Sequence, residues 1–308
     1  MSLLLQDSKL NALIARMPVL SNVTNISVLG GGLTNKNYRI DTGATTCVMR
    51  VSDTAPGLLG IDRENEKINT QYAHEAGVGP AVIDSLLQDG VLLISWINAR
   101  TLHPEDMYGN PALLGRIATA LRTLHHGPVF QGIFHFPSIR KKYLNTVLKN
   151  NYFLPAEYLQ TEPLVAALEN AIAAKPEPLV SCNNDLLAEN FMDDGNKIWI
   201  IDYEYSGRNE ASFEIGNLVS ESGLSEKDIA TLCEAYWLQN LPSKIARAKA
   251  WSIIARFGWV LWASIQEAVS TIDFDFRAWG MKKWNSVLPE LSGDNYHTIL
   301  HTIKQEHS

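Results

Sequence analysis

Short apolar runs and turn residues alternate over the first hundred residues, as they do in antiparallel β-strands. Such runs, bounded by Gly, Asp and Asn, predict strands; they fall at residues 25–29, 36–40, 47–51, 82–87 and 91–97. Residues 7–18 instead place Leu10, Leu13 and Ile14 on one helical face, and residues 62–76 also have helical character. The pattern predicts a small antiparallel sheet with an inserted helix.

The apolar period changes to three and four residues after Asn98, which predicts helices. They fall at residues 111–126, 138–150, 161–174, 225–239 and 244–270. Residues 179–205 are the exception, because a turn at 193–196 separates two short strand-like runs. The predicted fold class is α+β, with two lobes at residues 1–97 and 98–308. The alternating pattern of a doubly wound parallel sheet is absent.

Composition narrows the class of protein. The chain has 308 residues, 46% apolar and 19% charged, as in an ordinary globular protein. A net charge of −7 argues against a nucleic-acid-binding protein. Three distant cysteines without a C-x-x-C pair indicate neither a zinc site nor a disulfide framework. Neither a signal peptide nor an 18-residue apolar span is readable, so a cytoplasmic location and no membrane span are expected.

One motif carries the chemistry. Asp185 and Asn190 form D-x4-N, and Asp202 follows at the end of a short hairpin. Kinase-type enzymes use this spacing to place one carboxylate on a substrate hydroxyl, and an Asn and an Asp on magnesium. D-x4-N alone is weak, because both residues are common in loops. With the second Asp, it predicts Asp185 as the group on the hydroxyl and Asn190 and Asp202 as Mg²⁺ ligands. Turn residues and a helix cap are the structural alternative.

Two further features suit phosphate binding. Residues 30–32 are three glycines between two strands, which is neither a Walker A loop nor a dinucleotide fingerprint, since both lead into a helix. A glycine hairpin can approach a triphosphate closely, with Thr34 and Asn35 as donors at its tip; a plain hairpin turn is the alternative. Arg50 ends the third strand, where a cation for the phosphates is needed, and Glu66 is placed to pair with it.

The stretch of residues 201–209, followed by Phe213–Asn217 and Glu221, resembles the choline/ethanolamine kinase signature. This family belongs to the aminoglycoside-phosphotransferase-like branch of the protein-kinase fold. Residues 31–35 are similar to its phosphate loop, and residues 63–66 to its first-lobe helix. Residues 259–262, with Gln266, are similar to its C-terminal aromatic helix. The resemblance covers about residues 28 to 285; the long signature is specific, whereas the glycine loop alone is not.

The resemblance implies a two-lobed protein-kinase-like fold and an ATP- and Mg²⁺-dependent transfer of the γ-phosphoryl group to an amino alcohol, with choline favoured. It makes Asp185 the catalytic base and Asn190 and Asp202 the metal ligands. The ATP-binding residues would be Gly31, Gly32, Thr34, Asn35, Arg50, Glu66 and the hinge residues Ser95 and Ile97. The choline pocket would be lined by Tyr205, Glu221, Trp259, Trp262 and Trp279.

Physical chemistry supports that pocket independently. A quaternary ammonium donates no ordinary hydrogen bond and is best held against aromatic faces, with a carboxylate nearby. Trp259 and Trp262 are three residues apart and share a helix face, and Trp279 follows after a break at residues 270–273. The alternative is that these tryptophans are core residues.

Two positions depart from the family pattern, and several functions stay open. Asn183 stands where the family has His, which leaves a catalytically impaired nucleotide- or choline-binding protein as an alternative. Glu214 occupies a position where the family usually has Asp, and its additional methylene is expected to fit if the site is partly open. Ethanolamine, thiamine or another small alcohol is the alternative acceptor, while a polycationic aminoglycoside would need a more acidic groove. A homodimer is also left open, since the family includes dimers.

Overall fold

The computed structural model describes residues 7–30, 32, 34–52 and 59–305. The N-terminal lobe is a five-stranded antiparallel sheet in the order β1-β2-β3-β5-β4. The predicted strands and helices are confirmed here. The elements are α1 Ser8–Ala15, β1 Val23–Leu29, β2 Asn35–Thr42, β3 Thr46–Ser52, α2 Arg63–Glu75, β4 Val82–Leu86 and β5 Val91–Ser95.

The two faces of this sheet have different partners. Leu10 and Leu13 of α1 belong to one apolar cluster with Met49 of β3 and Leu93 of β5. Successive side chains of a strand point to opposite faces. Arg50 therefore lies on the other face of β3, which is the face turned toward α2.

The second lobe is mainly helical. Its helices are α3 Pro104–Met107, α4 Pro111–His125, α5 Phe136–Lys149, α6 Tyr158–Ala173, α7 Ala211–Ser222, α8 Glu226–Trp237, α9 Pro242–Val269, α10 Phe276–Ser292 and α11 Asp294–Gln305. Its short strands are β6 Arg100–Thr101, β7 Leu179–Cys182, β8 Phe191–Asp193, β9 Ile198–Ile200 and β10 Gly207–Glu210. Strand β7 pairs with β10, and β6, β8 and β9 form a second small sheet. The predicted α+β class and the five predicted helices are confirmed, whereas α3, α7, α10 and α11 were not predicted.

Helix α9 is the central element of this lobe and is buried along most of its length. It packs against α7, α10 and α5. The approach to α7 is close at Gly216, where a Cβ atom would lie 2.5 Å from the Cβ of Trp251. A glycine is therefore required at this crossing.

Two expectations concern the whole chain. None of the helices in the described part of the chain combines the length and apolar character needed to cross a bilayer. Cys47, Cys182 and Cys233 are buried free thiols. This agrees with their spacing in the sequence, which indicated no disulfide framework.

Candidate active site

The loop of residues 183–190, which follows β7, is fastened to helix α7. The backbone amides of Asn183 and Asn184 donate to the two carboxylate oxygens of Glu214, over 2.9 and 2.8 Å. A partly open site was expected to accommodate the extra methylene of Glu214. Glu214 is instead completely buried. The longer side chain is accommodated because both of its oxygens are used.

Asn183 takes part in the same anchorage. Its side-chain amide donates to the carbonyl oxygens of Ile201 and Asp202, over 3.2 and 2.7 Å. Its own oxygen accepts from the backbone amide of Asp185 at 3.0 Å. The residue that replaces the expected His therefore ties the loop to the segment that carries the second Asp.

Asn184 and Asp202 are both left-handed, with φ angles of 68° and 64°. Such angles are costly for non-glycine residues and persist where surrounding contacts enforce them. The side-chain amide of Asn184 donates to the backbone carbonyl of Tyr205 at 3.1 Å. The side-chain oxygen of Asn184 accepts from the side-chain amide of Asn209 at 3.0 Å. The backbone geometry of the loop is thus determined by buried hydrogen bonds.

Asp185 and Asn190 lie together in this loop. The side-chain amide of Asn190 donates to the backbone oxygen of Asp185 at 2.7 Å. Burial raises the pKa of the Asp185 carboxyl well above its ordinary value, and the negative charges of Asp202 and Glu204 raise it further. The carboxyl group is therefore a stronger base, once ionised, than an exposed aspartate.

Arg50 reaches this group from the N-terminal lobe. Its guanidinium lies 2.6 Å from a carboxylate oxygen of Asp202, and 3.0 Å from Glu66 of α2, which is the ion pair expected from the sequence. The pKa of Arg50 is raised, because the attraction of these carboxylates outweighs its burial. Arg50 therefore holds its full charge where the two lobes meet.

Glu204 was not assigned a role from the sequence, although its place two residues after Asp202 was a signal. It accepts hydrogen bonds from Thr34 Oγ1 at 2.6 Å, Asn35 Nδ2 at 2.9 Å and Arg63 at 3.2 Å. The side chains of Thr34 and Asn35, predicted as donors to ATP, are thus buried against the second lobe. Burial raises the pKa of Glu204, and the charge of Asp202 adds to this effect.

The remaining predicted ATP-binding positions lie at the glycine loop and the hinge. At Gly32, a Cβ atom would come within 2.2 Å of the Asn35 carbonyl oxygen, so this position requires glycine. Gly31 lies outside the described residues. The hydroxyl of Ser95 accepts from the amide of Ala81 at 2.9 Å, and Ile97 is buried just beyond the end of β5. The Ser95 hydroxyl is therefore already engaged within the first lobe.

The four predicted aromatic residues are contiguous. Trp262 donates from its indole nitrogen to the Tyr205 hydroxyl at 2.9 Å. The ring centroid of Trp262 is 5.4 Å from that of Trp279, and the centroid of Tyr205 is 5.8 Å from that of Trp259. Trp259 is also packed on Phe136 of α5, and Trp259, Trp262 and Tyr205 are all buried in one apolar cluster, so these three belong to the core as much as to a pocket.

Glu221, the predicted carboxylate of the pocket, is held by a residue that the sequence did not reveal. The Lys283 ammonium lies 2.6 Å from Glu221 and 4.1 Å from the ring centroid of Trp279. A cavity of about 730 Å³ is lined by these three residues together with Leu187 and Glu189 of the loop of residues 183–190. Lys283 follows Trp279 by four residues on α10, which was the available signal that both share a face.

A carboxyl base, two oxygen-bearing side chains suited to a divalent cation and a buried guanidinium therefore meet where the lobes join. An aromatic cluster with one carboxylate lies alongside. This combination suits the transfer of a phosphoryl group to a small hydroxyl compound.

Comparison with known proteins decides the family. Residues 26–233 match the sequence model described as choline/ethanolamine kinase. The chain belongs to the choline/ethanolamine kinase family. It is therefore a phosphotransferase that acts on an alcohol group.

Individual members of the family agree with this assignment. The chain is 31% identical over 287 residues to human ethanolamine kinase 2, covering 82% of this chain and 72% of that protein. A choline/ethanolamine kinase family protein from Mesorhizobium loti superposes with a TM-score of 0.85 at 29% identity, over 96% of this chain and 98% of that one.

The choline kinase LicA from Streptococcus pneumoniae has the same fold, with a TM-score of 0.77 at 23% identity over 92% of this chain and 98% of that chain. The two-lobed, protein-kinase-like arrangement expected from the sequence is therefore confirmed for this family member.

Proposed function

We propose that this family member transfers the γ-phosphoryl group of ATP to the hydroxyl group of choline, with Mg²⁺ as the metal. The observation that carries the proposal is the meeting of Asp185, Asn190 and Asp202 at the lobe junction, where Arg50 lies 2.6 Å from Asp202. Trp279 and Glu221 offer an aromatic face and a carboxylate, which suit a quaternary ammonium, and they line one cavity with Leu187.

In the proposed reaction, Asp185 accepts the proton of the acceptor hydroxyl. The hydroxyl oxygen forms a bond to the γ-phosphorus while the bond to the bridging oxygen of ADP breaks. Because the pKa of Asp185 is raised by burial, the ionised and active form becomes more populated as pH increases. Arg50 supplies positive charge for the phosphates, and Glu66 orients it.

Asn190 and Asp202 would hold the metal. Asn190 directs its amide nitrogen to the backbone of Asp185, so its oxygen is the atom that a cation would bind. Amide and carboxylate oxygens are hard ligands that suit Mg²⁺. When bound, the ion would neutralise charge on the phosphate oxygens.

The hydrogen bonds of Asn183 favour an active enzyme over a catalytically impaired binding protein. They hold the catalytic loop and the Asp202 segment in one geometry, which is the task expected of the missing His. A cytoplasmic location is part of the proposal, because three buried unpaired thiols suit a reducing compartment.

Ethanolamine is the second candidate acceptor. The sequence identity of 31% to human ethanolamine kinase 2 favours it. The contiguous rings of Tyr205, Trp262 and Trp279 favour choline, since a methylated ammonium binds through aromatic faces rather than through donated hydrogen bonds.

A coupled assay of ADP release, run in parallel with choline, ethanolamine, thiamine and kanamycin, tests the proposal. We expect the highest kcat/KM with choline and the loss of turnover when EDTA removes the metal, with recovery on adding excess Mg²⁺. Full turnover in EDTA would exclude the metal role. Turnover of none of the four alcohols would overturn the proposed acceptor class.

A further inference from the structure

Lys283 is a cation built into the acceptor region. It projects from α10, is only 8% exposed, and its ammonium lies 2.6 Å from Glu221 of α7. The same ammonium lies over the ring of Trp279, at 4.1 Å from its centroid. A carboxylate and an aromatic face are the two groups that the proposed function offers to the acceptor. Lys283 therefore already contacts one member of each kind, Glu221 and Trp279.

The lysine also lines a cavity next to the loop of residues 183–190. It lines the cavity of about 730 Å³ together with Leu187 of the catalytic loop. The side chain is thus buried between α10 and α7 and does not project from the outer surface of α10.

The pairing changes what the region offers to an incoming cation. A charged hydrogen bond is among the strongest polar contacts in a protein, and Glu221 already accepts one from Lys283. A primary ammonium needs such an acceptor, because it carries hydrogen-bond donors that must be satisfied after desolvation. A methylated ammonium has no such donors and binds through aromatic faces.

We propose that Lys283 is a specificity-determining residue, which engages Glu221 and thereby favours an acceptor with a methylated ammonium over one with a primary ammonium. The inference rests on the proposed function, since it concerns the same acceptor site. It assigns the preference to a residue outside the aromatic cluster.

The test compares the wild type with Lys283→Met, which keeps the length of the side chain and removes its charge. The measured quantity is the ratio of kcat/KM for choline to kcat/KM for ethanolamine. We expect this ratio to fall about tenfold or more in Lys283→Met, the size of one charged hydrogen bond, through a lower KM for ethanolamine. Lys283→Arg, which keeps the charge, should retain most of the wild-type preference.

A double variant shows whether Lys283 acts through Glu221. In a Glu221→Gln background, Lys283→Met should leave the ratio of the two acceptors nearly unchanged. Should Lys283→Met fail to fold, the same ratio for Lys283→Gln decides the question. A ratio that stays the same or rises when the charge is removed overturns the inference, while the proposed function stands if the wild type still phosphorylates choline. If the wild type phosphorylates neither alcohol, the proposed function itself fails.

Discussion

Asp185 is a residue whose proposed function costs stability. Burial raises the pKa of its carboxyl, and the nearby charges of Asp202 and Glu204 add to the shift. The folded protein therefore binds a proton that the unfolded chain releases at about pH 4, the ordinary aspartate value. Between that value and the raised pKa, the free energy of unfolding decreases as pH increases.

Asp185→Asn tests both consequences. Because the amide cannot accept the proton, kcat should fall by about 10²–10⁴ while ATP still binds. Because the amide cannot ionise, the variant should have a higher Tm than the wild type, by a larger margin at about pH 8 than at about pH 5. ADP release and thermal unfolding at the two pH values measure these effects.

The matched control is Asp273→Asn, which changes an exposed aspartate in the connection between α9 and α10. It should leave both kcat and the pH dependence of Tm as in the wild type. A kcat of Asp185→Asn within about threefold of wild type would remove Asp185 from its role as base. If the Tm of Asp185→Asn equals that of the wild type at both pH values, the Asp185 carboxyl carries no stability cost.

At the scale of elements, α7 connects the loop of residues 183–190 to the region proposed to hold the acceptor, and it is one of the helices that periodicity failed to predict. All of its residues except Ala211 and Glu221 are buried. A helix that is apolar or buried on every side has no polar stripe, so the period of 3.6 residues is lost. The strands of the first lobe were predictable because turn residues mark their ends locally.

Gly216→Ala should separate α7 from α9. The new Cβ atom would lie 2.5 Å from Trp251 Cβ and 2.6 Å from the Ala248 carbonyl oxygen, so one helix must move. Overpacking of this kind costs about 1–3 kcal/mol of unfolding free energy. Since α7 also carries Glu214, kcat should fall together with the midpoint of urea denaturation.

The matched control is Gly115→Ala in α4, where no atom lies within 4 Å of the added Cβ. Alanine is about 1 kcal/mol more favourable than glycine inside a helix, so this variant should be more stable than the wild type. If Gly216→Ala were as stable as Gly115→Ala, the close approach of α7 and α9 would not be a feature of the folded protein.

Part of the candidate site was also beyond sequence analysis. Asp185, Asn190 and Asp202 were identified because their spacing along the chain is short and fixed. Lys283 and Glu221 are 62 residues apart and belong to different helices, so nothing local links them. A lysine in a helix is ordinarily read as solvent-exposed. Only the packing of α10 on the second lobe brings its charge inside.

At the scale of the whole molecule, the two lobes are joined by buried charges. Glu204 of the second lobe binds Thr34, Asn35 and Arg63 of the first, and Arg50 reaches Asp202 in return. These contacts connect residues that are 141 to 170 positions apart in the sequence. The boundary between residues 97 and 98 stays a prediction, but the contacts across the junction are specific.

Glu204→Leu should therefore destabilise the protein as a whole. It leaves the partly buried guanidinium of Arg63 with Glu66 as its remaining carboxylate, and removal of one partner from a buried pair costs about 3–5 kcal/mol. Urea denaturation measures the loss. Asp89→Asn, which alters the exposed ion pair with Arg16, is the control and should change the unfolding free energy little. Equal effects of the two substitutions would contradict the structural role of the junction.

Helix α7 has one further consequence for the reaction that we propose. Glu214 holds the loop that carries Asp185. Glu221, the carboxylate proposed to lie near the ammonium group of the acceptor, follows seven residues later, two turns along the same helix. The rise between them is about 10 Å. The separation between the site of proton removal and the site of the positive charge is thus set by one helix. The protein would therefore select acceptors by the number of carbon atoms between the hydroxyl group and the nitrogen.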